Sequence, residues 1–171
     1  MRNFFSFLIL IVFSIGCGAN NQFESDPTNI WSILETSTNT EHFDASEYYK
    51  YEVILVDDIL DEEALQWAME GWNSLAGEDI LTHTSQEYKA FVYYDPGLDA
   101  LGTQERDFEG NCIVKISPLQ SGLWKLYAHE LGHCLGFDHA DVEESLMYKQ
   151  LKGGHFTTEQ QRILHDHKDL L

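Results

Sequence analysis

One stretch constrains this chain more than any other: AHELGHCLGFDHADVEESLMY, residues 128–148. His129 and His133 are four apart. On a helix that spacing puts both side chains on one face, one turn apart, so two ring nitrogens can aim at one point. A third ligand for a tetrahedral ion cannot come from the next turn of the same helix. The helix must stop and the chain must swing back. Gly136 permits the left-handed conformation such a turn needs, and His139 can then supply a third nitrogen. The five letters His129, Glu130, His133, Gly136 and His139 co-occur at this spacing by chance in roughly one chain of this composition in 10⁴.

Three neutral imidazoles leave the charge of Zn²⁺ uncompensated, and water in an open fourth position is acidified toward neutrality. Glu130 follows His129 directly. It can take a proton from such a water as a carbonyl is attacked, and pass it to the leaving amine. The expected metal ligands are therefore His129, His133 and His139, with one zinc ion as cofactor and Glu130 as general base and acid.

The segment resembles the metzincin zinc endopeptidases, whose mark is H-E-x-x-H-x-x-G-x-x-H followed by a Met-containing turn. Here the turn is Ser145-Leu146-Met147-Tyr148. The eight-residue step from His139 to Met147 is similar to that of the matrixins. The resemblance implies an α+β (mixed α/β) fold: a twisted mixed sheet with an antiparallel edge strand, an active-site helix and a C-terminal helix. It implies Met147 as an apolar floor under the imidazoles, and Tyr148 and the residues after it as walls of the specificity pocket. It also implies a protein or peptide substrate laid along the sheet edge, by strand addition. Lys149 stands where matrixins usually carry Pro. Residues 95–111 are too few for the structural zinc and calcium loops of animal relatives. Asp95, Asp99 and Asp107 could hold calcium, but read better as solvated loop acids. The alternative function is a zinc-containing binding module at the cell envelope with little or no catalysis. Retention of Glu130 argues against it.

Of 171 residues, 29 are Asp or Glu and 10 are Lys or Arg, for a net charge of -19. That balance excludes a phosphate-binding surface, and with it nucleic acid as a partner. The length suits one domain, expected to act as a monomer. Arg2 followed by FFSFLILIVFSI reads as a secretory signal over residues 1–17. It ends Ser14-Ile15-Gly16-Cys17, similar to a bacterial lipobox, which makes Cys17 a candidate for lipidation and a membrane anchor. The expected location is the bacterial envelope or the exterior. Cys112 and Cys134 then remain, an even pair that can form a disulfide or stay as two buried thiols.

Residues 18–45, rich in Asn, Ser, Thr and acid, read as a tether with a short helix near Ile30 to Leu34, ahead of a catalytic domain at 46–171. Alternation predicts strands at 49–56 and 90–94, and a hairpin of 103–108 with 112–116. Leu65, Ala68, Met69, Trp72 and Leu75 form one helical stripe, opened by Asp58 or Asp61 and closed by Gly77. Ser121 is a candidate cap for the helix of the histidine motif. Thr157 and Gln160 form a capping box for the last helix. His42, His83, His155, His165 and His167 read as surface residues. Asp138 reads either as an orienting acceptor for an imidazole or as a solvated turn acid.

Overall fold

The computed structural model describes residues 33–36, 41–117, 122–151 and 154–168. The expected signal, Cys17, and Ser121 lie outside the described residues. A five-stranded sheet has the order β3-β2-β4-β6-β5, made of β2 (Tyr51–Leu55), β3 (Leu81–Thr82), β4 (Tyr88–Tyr94), β5 (Gly102–Arg106) and β6 (Cys112–Ile116). All neighbours run parallel except β5, which lies antiparallel to β6 at the edge. Three helices complete the fold: α1 (Glu62–Ala76), α2 (Trp124–Cys134) and α3 (Thr158–His167). This is the mixed α/β arrangement with an antiparallel edge strand and a C-terminal helix that the matrixin resemblance implies.

One face of the sheet carries the core. Val53, Ala90 and Cys112 stand in one cross-strand row, with Val92 and Val114 in the next, and all five are buried. Continuous apolar rows of this kind are expected where parallel strands are covered by helices. The stripe of α1 fits against α2. The Trp72 indole N–H donates to Ala128 O at 2.8 Å, and its ring stacks on Phe137 at 5.2 Å. Asp61 caps α1 by accepting from Ala64 N at 3.0 Å, and Gly77 closes it with φ +75°. Helix α2 starts at Trp124, with Leu123 at its cap position and no side-chain cap bond. The Thr157–Gln160 capping box opens α3.

The segment read as a tether makes specific contacts with the domain at several of its described residues. Ile33–Leu34 form a short strand, β1, parallel to β7 (Phe156–Thr157), rather than part of a helix. Glu41 is buried at 7% exposure. The reason is pairing across the chain: β1 finds an open edge at β7, which local composition could not reveal.

Candidate metal centre

Helix α2 ends as the spacing requires. Gly136 adopts φ +92°, and Phe137 N–H reaches back to Gly132 O at 3.0 Å. The chain then turns toward the helix and brings His139 beside its two partners. His129, His133 and His139 form a cluster in which one ligand atom from each lies within 4.8 Å of the others.

The orientation of the rings is set by backbone carbonyls. His129 Nδ1 lies 2.7 Å from Leu146 O, and His133 Nδ1 lies 2.7 Å from Phe137 O. A carbonyl only accepts, so each Nδ1 carries the proton and each Nε2 presents a lone pair. Those two Nε2 atoms are 3.2 Å apart. Two lone pairs at that distance repel unless a cation lies between them. Zinc–nitrogen bonds of about 2.05 Å at tetrahedral angles require about 3.3 Å between ligand atoms. The three imidazoles therefore fit a zinc site. Burial holds His129 down to about 4 and also lowers His133, so both rings are kept in the neutral form a metal needs.

Glu130 is 4% exposed, and burial pushes its carboxyl up to about 8. A dication held by the neighbouring imidazoles would draw that value down again. Glu130 lines a groove of about 500 Å³ together with Gly102, Gln104, His129, His133 and His139. Lys149, Gln150 and Leu151 line the same groove. Tyr148, expected to help wall this space, is half-buried and does not line it among the described residues.

Met147 is fully buried. A Cβ added at Gly132 would stand 2.4 Å from its sulfur, so the bare helix backbone before His133 makes room for this side chain. Ala140 N–H donates to Met147 O at 2.9 Å, tying the Met-turn to the residue after His139.

Several residues of the site escape sequence reasoning. The inner face of β5 presents Gly102, Gln104 and Arg106, two apart, toward α2. A Cβ at Gly102 would lie 2.4 Å from Glu130 Oε1. Arg106 bonds the Tyr51 hydroxyl and donates to Cys134 O at 2.6 Å, a cation at the negative end of α2. In the same row, Cys112 and Cys134 are joined by a disulfide, which fastens the end of the helix to β6. A glycine at the start of a predicted edge strand was the only available signal for Gly102.

Other candidates stay apart from the centre. Asp107 is occupied with its own turn, accepting from Glu109 N and Asn111 N at 2.8 and 2.9 Å. Asp95 accepts from Gly97 N at 2.9 Å. His83 bonds Val53 O and Gln66, and His167 bonds Ile163 O. Asp138 is exposed and lines the groove, but the carbonyl of Phe137 is what orients His133.

The family model described as Matrixin, a peptidase family, matches residues 20–169. The chain belongs to the matrixin family. That membership, with the three-histidine cluster, supports zinc metallopeptidase chemistry. None of the curated proteins is similar enough to match. Among solved structures, a chain described as "GM1 bound form of the ECX AB5 holotoxin" is similar at 17% identity and a TM-score of 0.44. The likeness covers 64% of this chain, which spans 61% of that one.

Proposed function

We propose that this matrixin is a zinc-dependent endopeptidase in which His129, His133 and His139 hold the ion and Glu130 moves the proton. The observation that carries the reading is the pair of Nε2 atoms 3.2 Å apart, with both Nδ1 atoms already committed to carbonyls. When bound, zinc supplies a Lewis acid that acidifies water and polarises a carbonyl. Glu130 opens on the same groove and has the reach to accept a proton from water and return it to a departing amine. Its burial keeps bulk water from competing for the carboxylate. The edge strand β5 borders the groove through Gly102, Thr103 and Gln104, and an extended peptide can pair with it there. Met147 packs against α2 at Gly132, beneath the helix that carries His129 and His133.

The same reading makes the protein an exported one. The N-terminal sequence and Cys17 lie outside the described residues. The disulfide between Cys112 and Cys134 supports an oxidising compartment, where such bonds persist. Lipidation of Cys17 predicts an acyl-dependent mass shift in protein recovered from its native host, absent from Cys17→Ala.

Cleavage of casein and mixed peptides by the protein, with zinc content measured in parallel, tests the main proposal. Glu130→Ala should keep its zinc and lose cleavage. Two zinc-loaded proteins that cleave nothing would refute the peptidase reading, and a folded parent without zinc would refute the metal centre.

A further inference from the structure

His129 and His133 are aimed by two carbonyls, Leu146 O and Phe137 O. Both carbonyls belong to irregular segments, so something outside α2 must hold them still. The same four residues of the N-terminal segment reach both.

The first anchor is a short antiparallel ladder. Asp44 N–H donates to Gly136 O and Asp138 N–H donates to His42 O, each at 2.8 Å. Between them Phe43 pairs with Phe137, with ring centroids 4.9 Å apart. This ladder brackets Phe137 and ends one residue before His139. The second anchor is a buried hydrogen-bonded cluster. Glu41 Oε1 accepts from Ser145 Oγ and from Thr157 Oγ1, both at 3.0 Å. Ser145 Oγ in turn accepts from Met147 N at 3.1 Å, which shapes the turn around Leu146 O. Ser145, Thr157 and Gln160 are all fully buried.

A carboxylate with 7% exposure is expensive to bury, and Glu41 Oε2 has no hydrogen-bond partner among the described residues. An acid retained there for stability alone would be a poor choice. Its one well-placed oxygen ties the segment to Ser145 and Thr157, 104 and 116 residues further along the chain.

We propose that residues 41–44 are a positioning strap for the metal centre, and that Glu41 locks it by fixing the Ser145–Met147 turn whose carbonyl aims His129. The inference rests on the zinc-site reading above. It gives the segment upstream of the domain a function in metal binding, where composition alone suggests a spacer. Partners that orient a ligand imidazole typically change metal affinity 10- to 100-fold when removed.

The test is Zn²⁺ affinity by chelator competition, together with the visible spectrum of the Co²⁺-substituted protein. Glu41→Leu should weaken Zn²⁺ binding about tenfold or more and alter the Co²⁺ bands. Glu41→Gln keeps an acceptor oxygen for Ser145 and Thr157, and should restore parental affinity and spectrum. Val53→Ala, a core change in β2 away from the strap, should lower stability and leave both readouts unchanged. If Glu41→Leu does not fold, Ser145→Ala cuts the same link from the other side and is held to the same expectation. Parental affinity and spectrum in the folded Glu41→Leu or Ser145→Ala protein would overturn the strap. Equal weakening by Glu41→Gln would overturn its assignment to these hydrogen bonds. A parent chain that binds neither metal would instead overturn the metal centre itself.

Discussion

Replacing Gly102 by Ala puts one methyl group against the proposed catalytic carboxylate. The added Cβ would stand 2.4 Å from Glu130 Oε1 and 2.9 Å from its Cγ and Cδ. Ordinary contact begins near 3.4 Å, so the carboxyl group must retreat by about 1 Å. Because Cγ is crowded as well as the oxygen, rotation of the terminal bond alone does not relieve the clash. Glu130 is buried, and its displacement means a new rotamer or a shift of β5. A misplacement of about 1 Å in a catalytic group can cost on the order of 10²-fold in rate, about 2.7 kcal/mol of barrier. Gly102 has no left-handed backbone requirement, so Ala itself adds no local strain. The expected result is a folded, zinc-loaded Gly102→Ala protein whose kcat/KM falls about 100-fold, through kcat more than KM. Peptide cleavage under single-turnover conditions, with zinc content and thermal unfolding measured on the same samples, provides the assay. A kcat/KM within about threefold of the parent would refute the argument that this glycine reserves space for Glu130. Loss of activity only in step with loss of zinc would refute it too.

Further predictions follow from other parts of the structure. Cys112→Ser with Cys134→Ser removes a crosslink spanning 22 residues, and urea unfolding should show a loss of about 3 kcal/mol. Gly132→Ala places a Cβ 2.4 Å from the Met147 sulfur and 2.7 Å from the Trp72 ring. The gain of about 1 kcal/mol in helix propensity should be outweighed, giving a lower Tm by differential scanning calorimetry. Burial raises the pKa of Glu41 above its ordinary 4.5, so the folded state holds that proton more tightly than the unfolded chain. The stability this contributes is present at low pH and is lost as pH rises through the folded value. Glu41→Gln, which cannot ionise, should therefore gain on the parent as pH rises above the ordinary 4.5 in urea titrations at fixed zinc. A constant gap between the two proteins would contradict the raised value.

The sequence alone was enough to name the three histidines that the fold brings together. An i, i+4 pair of histidines on a helix, a glycine at the turn and a third histidine just beyond it are local features, and local geometry follows from spacing. The same holds for the Gly77 stop, the Thr157–Gln160 box and the strand pairing of β5 with β6, whereas spacing left Asp58 and Asp61 as alternative caps and the fold selects Asp61. Short-range rules misread residues 33–34, which form a strand because β7 offers an edge 123 residues away.

What only the tertiary structure decided is the support beneath the centre. No spacing rule links Glu41 to Ser145, Gly102 to Glu130, or Arg106 to the end of α2. Each of these depends on how finished elements pack, and packing is set by the fit of many side chains at once rather than by any periodicity. The sequence by itself therefore determined which atoms could hold a metal. The fold determined how those atoms are aimed, because the turns whose carbonyls aim them are held by residues 41–44, about a hundred positions away.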